Sequence, residues 1–457
     1  MTAPCRALLI DPGVRFLEKD QATPKPYPHI GIAYIAAACR DAGHEVRAVD
    51  EAVEGPAAVE EALTTYQPHV VGVTAMTFCL GEAARVLDAA RRLAPAALTV
   101  LGGAHATALP EATLDEVAPL DAIVRGEGEI TFPDICEVVA QGLNEAGDLT
   151  RDEAVRRLAR LPGVYTRRGN GGPRPPIKDL DRLSFPDWSA FQYQRYARVD
   201  SPRFGPGTPL YQIAGSRGCP FGCSFCFPLH GRSFRHRAAR SVVDEMAAVH
   251  QRFGARHFDF TDSTATVNRP RFLELCDLLV GSGLSQEVSW NFETRVNLVD
   301  AELLDRAHRA GAQMVCYGVE SADDEVLVRV AKGATRADAE AAVRLSRAAG
   351  LKVKISLIIG LPYETRAAAR RTLDFARRLR AEYDVAVNLN IIDAYPGTEF
   401  FAMVDRGAGG TRWIAGQRGN WAGYCRSRPM VEVDDLDAAS LLALYQEFTD
   451  EAKGTGR

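Results

Sequence analysis

Apolar and polar positions along the chain fall into two successive alternations. In the first, RALLI (6–10), EVRAVD (45–50), HVVGVTA (69–75), LTVLGG (98–103) and DAIVRG (121–126) are short and largely apolar. Runs of that kind suit strands of a parallel sheet covered on both faces. Between them, GIAYIAAACRDAG, AAVEEALTTY and GEAARVLDAARRLA carry helical periodicity. The alternation predicts a doubly wound, Rossmann-like α/β domain over residues 1–140. Ligands of such sheets sit at the carboxyl ends of the strands. Those ends carry Thr74, Thr77, Gly102, Gly103, His105 and the stretch Arg125–Glu129, which includes Gly126 and Glu127.

Residues 141–205 lose the period. RRGNGGPRPPIKDLDRLSFPDW is rich in Gly and Pro and reads as a connector wrapped on the surface. The second alternation occupies 206–400. Its strand-like runs are YQIAG, HFDFTD, VSWNFET, MVCYGVE, VKISLIIG and VAVNLNIID, and helical stretches such as VVDEMAAVHQRF and AAARRTLDFARRL separate them. Six βα repeats fall short of the eight in a closed barrel. They predict an open, partial (β/α)6 barrel. Residues 401–457 form a C-terminal extension of mixed pattern. Trp188, Trp413 and Trp421 lie in irregular segments, where they are candidates to cover the barrel mouth.

Composition narrows the class. Of the 457 residues, 46% are apolar and 25% charged, so either domain can bury a proper core. A net charge of -5 gives no general attraction to nucleic acid or to an anionic membrane. No run of about 18 apolar residues is present to span a bilayer. The opening MTAPCRALLIDPG lacks the charged-then-apolar order of a signal peptide, which predicts a cytoplasmic protein with reduced cysteines. Cys5, Cys39, Cys79, Cys136, Cys276 and Cys316 sit in apolar stretches and read as small buried hydrophobes, while Cys425 lies in a polar tail.

The other three cysteines are different. SRGCPFGCSFCF (216–227) places Cys219, Cys223 and Cys226 on one tight loop directly behind the first barrel strand, eased by Gly218, Pro220 and Gly222. Strand ends and the loops behind them are where barrel catalysis sits. Thiolates at this density suit an iron–sulfur cluster. Three of them leave one iron of a four-iron cluster without a protein ligand. The zinc alternative needs a fourth ligand, which His230 or His236 can supply.

CPFGCSFC resembles the Cys-x-x-x-Cys-x-aromatic-Cys signature of radical S-adenosylmethionine (SAM) enzymes, with Phe225 as the aromatic. The resemblance implies a 4Fe-4S cluster whose open iron binds the amino and carboxylate groups of SAM. It implies that an electron from the cluster cleaves SAM to methionine and a 5′-deoxyadenosyl radical. It also distributes SAM contacts over the later strand ends: Asp262 near the amine, Arg295 at the carboxylate, Glu320 on the ribose hydroxyls, Ile358 and Gly360 at adenine, and Tyr395 after the sixth strand. Read as single residues, Asp262 and Glu320 can equally be helix-capping or salt-bridged acids.

VGVTAMT, LGGAHATALPE, VRGEGEITF and HIGIAYIAAACRDAGHEV resemble the amino-terminal domain of the cobalamin-dependent radical SAM subfamily. The resemblance covers about residues 5–400. It implies cobalamin among the cofactors, contacted by the strand-end residues of the first domain. The Asp-x-His-x-x-Gly motif of cobalamin mutases is missing, so cobalt would have no protein histidine. A Rossmann-like sheet that has kept its fold and lost its ligand is the alternative for this domain. No Gly-x-Gly-x-x-Gly follows the first strand, against a nicotinamide site.

Two outcomes follow for the chemistry. A deoxyadenosyl radical removes hydrogen from an unactivated carbon of a small molecule, of the natural-product kind met in antibiotic biosynthesis, and the carbon takes a methyl group from methylcobalamin. Alternatively the same abstraction starts a dehydration, epimerisation, ring closure or oxidation, as of a sugar, in a lyase or oxidoreductase with the first domain structural or assisting. An electron donor such as flavodoxin or ferredoxin is implied in either case. A non-catalytic iron–sulfur protein would have no use for an open iron beside SAM-like contacts.

Overall fold

The computed structural model describes residues 3–13, 27–144, 150–201, 203–424 and 427–454. Cys425 lies outside them. The chain divides into two compact units, Met1–Ala197 and Arg198–Arg457.

The first unit is built on β1 (Arg6–Asp11), β2 (Glu45–Asp50), β3 (Val70–Thr74), β4 (Leu98–Gly102) and β5 (Ala122–Val124), parallel and in the order β2-β1-β3-β4-β5. Leu8, Leu9, Ile10, Val70, Val71, Val100 and Leu101 are all buried, as the continuous apolar runs require of a sheet covered on both faces. The order reverses direction between β1 and β3, the place where doubly wound sheets open a crevice for a ligand.

The segment expected as a surface connector is partly structure of this unit. Arg151–Leu158 is a helix capped by Thr150, and β6 (Val164–Thr166) and β7 (Gly169–Asn170) extend the sheet antiparallel beyond β5. Arg167 and Arg168 make the short β6–β7 turn, and the Gly and Pro residues that obscured the period lie in and around β7 and in the loop that follows. Trp188, a candidate to cover the barrel mouth, is 1% exposed.

The second unit opens with an antiparallel pair, β8 (Val199–Ser201) and β9 (Gly205–Thr208). Next comes β10 (Leu210–Ile213), followed by the short antiparallel pair β11 (Ser216–Arg217) and β12 (Arg235–His236). The parallel strands continue with β13 (His257–Phe260), β14 (Ser289–Thr294), β15 (Ala312–Glu320), β16 (Lys352–Ile359) and β17 (Ala386–Ile391). Their order β10-β13-β14-β15-β16-β17 is that of the sequence and does not close on itself. This is the predicted six-stranded partial barrel.

Its strands alternate. On β16, Val353, Ile355, Leu357 and Ile359 are buried, while Lys354, Ser356 and Ile358 on the opposite face keep partial exposure. The outer layer is a dense core in which Trp290 and Phe292 meet Phe272 of the helix Arg269–Gly281, with ring centroids 5.9 and 5.2 Å away. The inner face is left open, as an unclosed barrel allows.

Behind the barrel, β18 (Thr411–Trp413) and β19 (Val431–Val433) pair antiparallel, and the helix Ala438–Gly454 packs along β17. The extension thereby covers an edge strand that would otherwise present an unpaired ladder.

Candidate active site

The cysteine loop is tied down at both ends and in the middle. Its stems, β11 and β12, pair Ser216 with His236 and Arg217 with Arg235. Within it, Cys219 N donates to Gly231 O (3.2 Å) and Cys226 N to Cys223 O (3.2 Å). Ser224 fastens it to two helix ends: its N donates to Val330 O (3.1 Å), at the end of the helix Asp324–Arg329, and its carbonyl accepts from Phe400 N (2.9 Å), in the first turn of the helix Glu399–Asp405. Gly218 has φ +82°, and a Cβ there would collide with Ser233 O, so the fold of this loop requires glycine.

Cys219, Cys223 and Cys226 line one cavity of about 230 Å³, together with Phe225, Thr264, Thr294, Arg295, Glu320 and Lys332. Cys226 is exposed where it faces the cavity, with protein packed around its other sides. That desolvation, with the neighbouring Cys223 and Cys219 sulfurs, pushes its thiol up to about 11. Three sulfurs that feel one another across a cavity are the donor set of a thiolate-held cluster. For the zinc alternative, His230 lines the cavity, whereas His236 contacts Arg237 O (3.2 Å) and Asn268 Nδ2 (3.1 Å) elsewhere. Among the described residues no three His, Cys, Asp or Glu side chains are gathered around single-ion space.

Arg295 follows β14 and is 5% exposed. Its Nη1 donates to Cys223 Sγ at 3.5 Å, and its guanidinium lies 4.0 Å from the centroid of the Phe221 ring. Nε and Nη2 are buried without a hydrogen-bond partner among the described residues. A buried cation with two idle donors is costly unless an anion meets it. A carboxylate or an anionic cluster fits this need.

Glu320 ends β15 at φ +70°, in the left-handed region, where the β15–β16 register shifts. Backbone held there by a non-glycine residue is a feature of functional sites. Its Oε1 accepts from Lys332 Nζ at 2.8 Å, and both side chains are nearly buried. Gly318 makes room for the pair: a Cβ there would collide with Glu320 Oε1 and lie 3.0 Å from Lys332 Nζ.

The structure draws some of the expected residues to this cavity and leaves others out. Phe225, Arg295 and Glu320 line it. Ile358 shares the inner face of β16 with Ser356, which also lines it. Asp262 does not: it is fully enclosed, accepts from Gly215 N (2.8 Å) and Ser216 Oγ, and sits beside Arg271. Burial raises its carboxyl above the usual range. It braces the start of the cysteine loop. Gly360 also lies outside the lining. Its N donates to Glu364 Oε2 (2.6 Å), and a Cβ would lie 3.0 Å from Ile392 Cγ2. Tyr395 packs at a tilt against Tyr424, centroids 5.4 Å apart.

Lys332 and Cys316 line the cavity and Phe221 adjoins it through Arg295, and the sequence reading assigned none of them to the site. Lys332 reaches Glu320 from a loop twelve residues on, with no pattern to mark it. Phe221, whose ring face lies 4.0 Å from the Arg295 guanidinium, was not singled out. Cys316, read as a small buried hydrophobe, lines the cavity from the inner face of β15. Burial, and then the nearby Glu293 carboxylate, push its thiol up to about 12.

In the first unit, Thr74, Gly102 and Gly126 stand at the carboxyl edge of the sheet. A Cβ at Gly102 would meet nothing closer than Val124 O at 3.8 Å, so that edge is open to a bulky group. Gly103 packs instead against Ala75, whose carbonyl accepts from His105 N (3.2 Å). His105 is 1% exposed, with Nδ1 3.4 Å from Thr77 Oγ1, and burial holds its imidazole down to about 4. It is an enclosed neutral residue rather than one at a ligand edge. Gly126 N donates to Thr107 Oγ1 (3.0 Å), and Glu127 accepts from Ile177 N (2.7 Å). An edge left open at Gly102 fits a large ligand bound without a histidine on its metal.

Residues 22–136 match the family model described as B12 binding domain, and residues 213–376 match the Radical SAM superfamily. The chain is 30% identical over 382 residues to a methyltransferase of Pyrococcus horikoshii that is itself uncharacterized, covering 82% of this chain and 78% of that one. It is 33% identical over 360 residues to an anaerobic magnesium-protoporphyrin IX monomethyl ester cyclase of Cereibacter sphaeroides, of which it spans 56%. It is 27% identical to the cytidylyl-2-hydroxyethylphosphonate methyltransferase of Streptomyces wedmorensis, covering 78% of this chain and 73% of that one. Among solved structures, the fold is similar to the radical SAM methyltransferase TsrM of Kitasatospora setae with cobalamin and a [4Fe-4S] cluster bound. That likeness has a TM-score of 0.69 and 21% identity, over 90% of this chain and 77% of that one.

Proposed function

This chain belongs to the radical SAM superfamily and carries a B12-binding domain ahead of its radical SAM domain, and from that premise we propose that it methylates an unactivated carbon of a small-molecule substrate. Its cofactors are a 4Fe-4S cluster, SAM and cobalamin. When bound, the reduced cluster and SAM supply a 5′-deoxyadenosyl radical that removes hydrogen from carbon, and cobalamin supplies the methyl group.

The observation that carries the reading is the single cavity in which three cysteine thiols face a buried arginine with idle donors and a carboxylate pinned by lysine. Cys219, Cys223 and Cys226 would hold the cluster. Arg295 would turn Nε and Nη2 toward the methionyl carboxylate of SAM, since two parallel N–H donors match a carboxylate. Glu320, its Oε1 fixed by Lys332, would offer the remaining oxygen to the ribose hydroxyls. Phe225 and Ile358 would shield the reacting centre from water. Asp262 and Gly360 support the loops that carry these groups. In the first unit, Thr74, Thr77, Gly102, Gly103, His105, Gly126 and Glu127 would shape the cobalamin edge, with His105, Gly126 and Glu127 acting through the loops they hold. We assign a cytoplasmic setting and a low-potential electron donor of the flavodoxin or ferredoxin type.

One comparison favours a second reading. The cyclase relative closes a ring by name, which corresponds to radical chemistry without methyl transfer. The two readings separate on products. Anaerobic enzyme reconstituted with iron, sulfide and cobalamin should retain the cobalamin and give S-adenosylhomocysteine beside 5′-deoxyadenosine, with a product heavier by one methylene. Deoxyadenosine without S-adenosylhomocysteine would move the assignment to the second reading.

A further inference from the structure

We propose that Arg295 sets the reduction potential of the cluster held by Cys219, Cys223 and Cys226; this rests on the cluster assignment above and adds to it a role distinct from holding SAM. The guanidinium is already committed to the cluster's ligands in the folded chain. Nη1 donates to Cys223 Sγ at 3.5 Å, and the Phe221 face at 4.0 Å holds the fork in place. A thiolate bound to iron keeps lone pairs that accept such a bond. Hydrogen bonds to the sulfurs and the net local charge are among the factors that set the potentials of these clusters.

Magnitude favours this residue over others in the cavity. Arg295 is 5% exposed, so its charge acts through protein rather than water. Lys332 is equally buried, but its charge is spent on Glu320 at 2.8 Å. Arg295 Nε and Nη2 have no partner among the described residues, so its charge is uncompensated there. Reduction adds one electron from an external low-potential donor and makes the cluster more negative, with no bond made or broken in the protein. A fixed cation and an N–H···S bond favour that reduced state and raise the potential.

The test uses full-length enzyme reconstituted with iron and sulfide, without SAM or cobalamin, poised with dithionite and mediators and read by the electron paramagnetic resonance of the reduced cluster. Arg295→Gln should shift the oxidised-to-reduced ratio at a given potential at least tenfold toward oxidised, about 59 mV for one electron. A midpoint equal to wild type overturns the proposal. If Arg295→Gln fails to assemble a cluster, Arg295→Met is read the same way, since methionine keeps an unbranched stem but loses both the charge and the donors. A lowered midpoint upholds the proposal and an unchanged one overturns it. Wild-type enzyme that assembles no cluster at all would instead defeat the functional assignment itself.

Discussion

Residues at this site are set by what stands next to them. Gly318 shows this most sharply, because the space of its missing side chain is occupied by the Glu320–Lys332 pair. Gly318→Ala should push the carboxylate off its lysine and raise the Kd for SAM about tenfold, the scale of one lost charge-assisted hydrogen bond; equilibrium binding to the reconstituted enzyme checks it, and the cluster spectrum should be unchanged. His105 makes a pH prediction for the first unit. Burial lowers its folded pKa from the usual 6.5 to about 4, so between those values the unfolded chain binds more protons than the folded one. Its contribution is full above pH 6.5 and is lost as pH falls toward 4. The Tm advantage of wild type over His105→Gln should shrink across that window, and a constant difference would contradict it. Asp262 and Cys316 mark the limit of residue-level reading. Sequence places each on or at the end of a barrel strand but leaves open which face it takes. Asp262 turns into the protein under the cysteine loop, and Cys316 turns into the open barrel.

Elements were legible where burial imposes a period. The five first-unit strands and six barrel strands announced themselves because a parallel sheet covered on its outer faces needs apolar residues in every strand. The residues 164–170 did not, because β6 and β7 are three and two residues long and β7 is exposed. The partial barrel explains the misreading of Cys316: in a closed, filled barrel an inward thiol on β15 would have been core. The C-terminal helix was unreadable alone because its role depends on β17, a distant partner. Leu441 is fully buried on that helix, and its methyl groups lie where a Cβ on Gly360 would reach. Leu441→Asp should strip the helix from β17, lower Tm and promote aggregation through the uncovered edge, as light scattering on heating would show. An unaltered melting curve would mean that the helix contributes nothing to the barrel.

At the scale of the whole molecule, the chain joins a doubly wound unit whose sheet edge is open at Gly102 to a partial barrel with a three-thiol cavity. Its family membership gives the chain a 4Fe-4S cluster, SAM and cobalamin, and those two places are the ones we propose for them. No helix among the described residues is long and apolar enough to cross a membrane. The barrel and its cysteine loop carry the central claim. The most direct test is anaerobic reconstitution of wild type beside the Cys219→Ala, Cys223→Ala, Cys226→Ala triple variant, with bound iron and 5′-deoxyadenosine measured in both. Wild type should hold about four irons per chain and form deoxyadenosine from SAM, and the triple variant should do neither. A triple variant that still cleaves SAM would contradict the account.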